Sequence, residues 1–376
     1  MKQNYRKLGE LVDLIDERNS GEKVKTLIGV SIDKCFIKSV ANTIGTDLSK
    51  YQIIRKNDFA CSLMQVSRDG KIPIACLKEY DEAIMSPAYY IFRIKDTSKV
   101  LPDYLTMWFM RTEFDREASY IAVGGVRGSM PWEDFCNMEL PVPDLTEQQR
   151  IVNAYNTVDR RIRLLQQINE KLEATAQCLF DEEFKDDLNK EEISFTQIIN
   201  LLGGGTPSTT EPSYWNGEIP FFAPADIDNS IYCCFKTEKT LTEEGLKNCS
   251  SKLYPENMTF VTCRGTVGKL ALAGVPMAMN QSCYALKDNE GKYPFFTYYF
   301  SKFVVSKLKN KASGAVFSAL VTRDFDLEKV FIPKQEKKET FEKQTSLIFL
   351  NIKSNEKEII KLQELKQLLI SRISKR

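Results

Sequence analysis

The chain has 376 residues, room for two or three domains, and 52 basic against 51 acidic side chains, so no global field marks it for nucleic acid or membrane. It contains no His, which removes the commonest general base, the usual activator of a Ser or Cys nucleophile and most catalytic zinc geometries. None of the ten Cys is spaced C-x-x-C and no apolar run is long enough to span a bilayer. The expectation is a reduced, soluble, cytoplasmic protein with no metal and no cofactor.

Residues 1–145 read as a mixed α/β segment. An amphipathic start (Leu8, Leu11, Val12, Ile15) runs into the turn Arg18-Asn19-Ser20-Gly21, and short β-rich runs are expected at 26–32, 51–54, 59–66, 72–76 and 89–94. Tyr104, Leu105, Trp108 and Phe109 predict a helix from Asp103 to about Ser119. A Gly-rich loop with Arg127 at its centre follows, and an extended Met138–Pro143 ends the segment.

From Thr146 to Phe184 there is no Gly or Pro, so the stretch reads as one helix of roughly 58 Å at 1.5 Å per residue. Thr146 with Gln149 matches a capping box. Ile151, Tyr155, Val158, Ile162, Leu165, Asn169, Leu172, Ala176 and Leu179 alternate at spacings of four and three, the seam of a coiled coil with one polar member.

Residues 185–192 read as a charged linker, and 193–333 replay the first segment. Gly203–Ser208 forms a turn, strand-like runs cover 219–222, 258–263, 270–273 and 283–286, and a helix spans about Pro294 to Lys309. Residues 334–376 carry a second seam 190 positions on: Phe341, Thr345, Ile348, Ile352, Asn355, Ile359, Leu362, Lys366 and Leu369. At the same offset Asp134-Phe135 falls on Asp324-Phe325, Pro143 on Pro333, and Gly124 and Val126 on Gly314 and Val316. Segment 146–192 has 7 basic and 11 acidic residues, and 334–376 has 11 and 6, opposite signs that suit pairing of the two helices. Antiparallel pairing about a pseudo-two-fold axis gives paired residues a constant sum of about 522, which sets Asn169 beside Asn355 as one polar layer.

Enzyme signatures fail on inspection. Cys263-Arg-Gly-Thr-Val-Gly-Lys-Leu270 has Cys where a phosphate loop has its first Gly and Leu where it has its hydroxyl. The Gly203-Gly-Gly run lacks a strand–G-x-G-x-x-G–helix context. What remains is polar, Gly-rich loops on two copies of one scaffold: Arg18, Asn19, Arg68 and Arg127 in the first, Thr206, Ser208, Arg264, Lys269, Asn280 and Gln281 in the second. Arg matches guanine O6 and N7, Asn and Gln match adenine, and Lys with loop amides grips phosphate.

The sequence resembles the specificity subunit of type I restriction–modification systems. The resemblance covers nearly the whole chain. It is carried by the half-length repeat, Leu140–Ile151 (LPVPDLTEQQRI), Gly204–Ser208, Tyr214–Pro220, Arg264–Lys269 and Met279–Gln281. It implies an α+β fold: two mixed α/β target recognition domains separated by an antiparallel two-helix coiled coil. The expected boundaries are 1–145, 146–192 (central helix and linker), 193–333 and 334–376 (distal helix). It further implies that each domain reads half of a bipartite double-stranded DNA site, that the helices dock two methyltransferase subunits, and that motor-nuclease subunits add cleavage. The chain itself would be non-catalytic. The first segment has Ser86-Pro87-Ala88 where the second has Asn280-Gln281-Ser282, and no GTPS loop, as expected if the halves read different sequences. Two alternatives are a coiled-coil structural protein that pairs between chains and a stand-alone antagonist of a restriction–modification system.

Overall fold

The computed structural model describes residues 5–39, 46–64, 66–123, 128–227, 231–311 and 319–373. Arg127, Gly124, Val126, Gly314 and Val316 lie outside the described residues. Two compact units form: residues 1–160 with 362–376, and residues 161–361. Among the described residues no helix is long and apolar enough to cross a membrane.

The first unit is built on a four-stranded antiparallel sheet in the order Val12–Ile15, Tyr90–Ile94, Phe59–Cys61, Ile74–Cys76. The second repeats that order with Ile199–Gly203, Cys283–Asp288, Thr259–Thr262 and Leu270–Ala273, and adds Cys233–Cys234 in parallel at the edge. The repeat reaches single residues. Asn57 and Asn257 both have φ +68°, and each amide donates over 2.8 Å, to Leu77 O and Ala273 O respectively. Leu140 and Val330, 190 apart, sit in equivalent two-stranded ladders with Arg6 and Ile193, and Phe135 and Phe325 are both fully buried.

Each sheet is backed by an aromatic core. In the first unit Phe59, Phe92, Phe109, Phe114 and Phe135 pack with Trp108; in the second Phe180, Phe184, Phe296, Tyr299 and Phe341 do so. The helix expected from Asp103 to Ser119 is two helices, Pro102–Phe109 and Thr112–Ala122. Arg111 between them is extended (φ −73°, ψ 139°), which lets both Phe109 and Phe114 turn onto Phe135. Its counterpart, Pro294–Lys311, is unbroken.

The first long helix spans Leu145–Phe184 and the second Gln335–Arg372. Thr146 is not the N-cap of the first. Asp144 is, accepting from Glu147 N at 2.9 Å, while Gln149 donates to Asn153. A carboxylate one residue beyond Pro143 meets the free amides earlier than a threonine already inside the helix can. The linker is more ordered than its charge suggests: Asp187 binds Lys190 and Lys337, and Leu188 packs on the second core.

The seams close antiparallel within each unit. In the second, Asn355 Nδ2 donates to Asn169 Oδ1 at 2.8 Å and Arg161 pairs with Glu358 at 2.8 Å. In the first, Lys366 pairs with Asp159 and its ammonium lies 5.0 Å from the centre of the Tyr155 ring. Tyr155, Val158, Ile162, Leu165, Phe341, Ile352 and Ile359 are buried. Ile151, Leu172, Leu179, Ile348, Leu362 and Leu369 are half-buried, because Phe180, Phe184, Phe349 and Ile370 take over where the helices meet the sheet cores. The helices also reach the main helix of each unit. Gln148 accepts from Leu101 N at 2.9 Å, and Glu342 accepts from Phe295 N and Phe296 N at 3.1 and 3.0 Å, supplying the amides that a helix N-terminus leaves free.

Candidate nucleic-acid interface

In the second unit the strand register puts Gly203 opposite Tyr284, Thr262 opposite Cys283 and Val261 opposite Leu270. The loops that leave or enter those strands therefore emerge at one end of the sheet. Backbone bonds tie them together: Gly205 N donates to Met279 O (3.1 Å), Asn280 N to Phe222 O (2.9 Å) and Cys263 N to Ser282 O (2.7 Å). Close approach of the first two needs glycine, since a Cβ on Gly204 would lie 2.1 Å from Asn280 O.

On this frame Thr206, Ser208, Arg264 and Gln281 are exposed. The Thr206 hydroxyl donates to Gln281 Oε1, joining two of the loops through their side chains. Arg264 is held by its backbone, bridged to Ala319, and its guanidinium has no hydrogen bond or ion pair among the described residues. Five N–H donors are thus left free for a ligand. Asn280 plays a different part. Its Oδ1 accepts from Ser282 N at 3.0 Å, an Asx turn that shapes the loop. Ser208 pairs with Thr210, and its carbonyl accepts from Trp215 Nε1.

The hairpin 263–269 also explains why its phosphate-loop likeness is only that. Gly268 N donates to Thr262 O (2.7 Å) and Thr262 N to Lys269 O (2.9 Å), so backbone groups are spent inside the turn, and a strand follows rather than a helix.

The first unit presents its loops at the equivalent end, after Ile15, after Cys61 and before Tyr90. Arg18 binds Asp16 at 2.7 Å and Lys50 O at 2.9 Å, and Arg68 forks onto Asp69. Such exposed pairs hold weakly and open readily. Asn19, expected among the exposed loop residues, is placed differently from the arginines. It is 1% exposed, with Nδ2 donating to Val24 O and Oδ1 accepting from Val24 N, so its side chain pins its own turn.

Sequence reasoning passed over Lys302 and Lys309. They sit on the helix Pro294–Lys311, where lysines read as a solvated face, and only the fold brings Lys309 against Gly268 (Nζ to O, 2.7 Å). Burial makes several thiols of the second unit poor nucleophiles. Burial pushes Cys234 and Cys263 up to about 12, and Cys233 well above the usual thiol range.

Two copies of one sheet, each offering polar loops at the same end, define a duplicated recognition protein. The chain belongs to the family of type I restriction modification DNA specificity domains, whose model matches residues 4–174 and 188–364. The HindI type I restriction enzyme specificity subunit of Haemophilus influenzae is 22% identical over 374 residues, 78% of this chain and 81% of that protein. The MjaIX specificity subunit of Methanocaldococcus jannaschii is 32% identical over 139 residues, but this match spans only 36% of the chain and 32% of the relative. The crystal structure of the type I restriction–modification S subunit from M. genitalium superposes with a TM-score of 0.58 at 14% identity, covering 98% of this chain and 95% of that one, a likeness of fold.

Proposed function

We propose that this chain is the non-catalytic DNA sequence-recognition subunit of a cytoplasmic type I restriction–modification complex. Each sheet-based domain, 1–145 and 193–333, reads one half of a bipartite double-stranded site. The second does so through Thr206, Ser208, Arg264 and Gln281, and the first through Arg18, Arg68 and Arg127. The observation that carries the reading is the duplicated loop cluster, with the Arg264 guanidinium, unpartnered among the described residues, at its exposed end. That fork suits guanine O6 and N7 in the major groove.

The long helices dock two methyltransferase subunits, to which motor-nuclease subunits add. Support comes from their outer faces, where Leu347 and Leu350 are 66% and 64% exposed, with Leu164, Ile168, Leu365 and Leu368 also bare. The reading of the helices as a dimerisation device between chains is disfavoured, because their seam is already filled by the chain itself. The lack of His supports a chain without its own chemistry.

Selection of duplexes from a random pool by the full chain tests this. Two short blocks separated by a fixed, unspecified spacer are expected; a pool that stays unenriched would overturn the reading. Methyl transfer or cleavage by the chain alone would overturn its non-catalytic part.

A further inference from the structure

Beside the hairpin 263–269, the second unit has a cleft of about 430 Å³, walled by Gly268, Lys269, Tyr232, Glu173 and the helix residues Tyr298, Lys302 and Lys309. Three lysines line it, and among the described residues the Glu173 carboxylate pairs with Lys302 alone. Lys309 lies across Gly268, which has φ +72°; a Cβ there would stand 2.4 Å from Lys309 Cε, so glycine is what makes room. The Lys309 amine spends one of its three donors on Gly268 O, and among the described residues the other two have no partner. Lys269 has no side-chain hydrogen bond or ion pair among the described residues. Burial, then the charge of Lys269, hold the Lys309 amine below the usual lysine range. Two ammonium groups held together in a recess are unfavourable until an anion joins them.

We propose that this cleft seats a phosphodiester of the DNA backbone between Lys269 and Lys309. The inference rests on the DNA-recognition reading and adds a positioning contact to it. Lys269 shares its hairpin with Arg264, so one loop offers a fork to base edges and a point charge to the backbone. The device belongs to one half of the chain. Ser62 N donates to Pro73 O as Thr262 N does to Lys269 O, so Pro73 stands where Lys269 does, and the 190-residue offset puts Ser119 at Lys309. The first half thus has no lysine at the positions that match Lys269 and Lys309.

The test uses the full chain as wild type, Lys269→Gln, Lys309→Gln and the control Lys287→Gln, against a duplex enriched from the random pool and a scrambled one. Lys269→Gln should weaken both duplexes by the same factor, roughly three- to tenfold, and make the slope of log K against log salt shallower by about one. Lys287→Gln should change neither. An unchanged slope in both cleft variants, or a loss confined to the enriched duplex, would overturn the proposal. Lysine resonances of the ¹³C-methylated protein separate the sources of anion. Movement of Lys309 with the duplex supports the backbone contact; movement with inorganic phosphate alone overturns it. A wild-type chain that enriches no duplex fails at the recognition reading, before any variant is compared.

Discussion

Asn355 Nδ2 donates to Asn169 Oδ1 at 2.8 Å, on the second long helix and the first respectively. Asn169 is 1% exposed and its own Nδ2 has no hydrogen-bond partner among the described residues, so the pair makes one bond. The seam residues Leu165 and Ile352 are buried as well. A buried amide donor left unmade costs about 1–3 kcal/mol, so the layer lowers stability while it penalises shifted pairings. Replacing both, Asn169→Leu with Asn355→Leu, should raise stability by about 1–3 kcal/mol in urea denaturation. A double variant less stable than wild type would show that the polar layer contributes net stability.

Arg264 and Asn19 should part company under mutation. Arg264→Ala should cost about 1–3 kcal/mol in binding to the enriched duplex, relax preference at one or two positions and leave circular dichroism unchanged. Asn19→Ala strands Val24 N and removes two bonds of a buried turn. It should lower stability by about 1–3 kcal/mol with little change in base preference. Equal discrimination by wild type and Arg264→Ala would remove that arginine from the reader.

Gly204→Ala places a methyl group 2.1 Å from Asn280 O, a contact that backbone must yield to. The loops of Thr206 and Gln281 should separate, with DNA discrimination falling while the sheet persists. Binding by the variant, compared with its thermal midpoint, reads the two effects apart. Wild-type discrimination would mean the loops need not touch.

Burial pushes the Glu342 carboxyl up to about 7 from an ordinary 4.5, although the Phe296 and Phe295 amides favour its charged form. Because the folded value exceeds the unfolded one, the native state holds the proton more tightly. This contribution is fully present below about 4.5 and is lost as pH rises through about 7. Its size is at most about 3.5 kcal/mol, at about 1.4 per unit. Glu342→Gln keeps an acceptor for the helix amides and removes the titration. The difference in urea midpoint between variant and wild type should therefore widen in the variant's favour from pH 5 to pH 8; a constant difference would place the titration elsewhere.

The sequence by itself determined what depends on period and on covalent spacing. The two seams, their 190-residue offset and the near-constant sum that joins Asn169 to Asn355 follow from side-chain order along helices, because a helix turns each residue by a fixed angle. The strands at 59–61, 74–76 and 90–94 were legible because β-rich runs between turn residues leave few other choices. Asp144 rather than Thr146 as the cap, the break at Arg111 and the burial of Asn19 were decided by the tertiary structure. In each of these, the competing local options differ by about 1 kcal/mol, and contacts from distant residues choose between them. The cleft belongs to the same class. Lys269 and Lys309 are 40 positions apart, on a hairpin and a helix, and only the packing of Val305 and Lys309 over Gly268 brings their charges together.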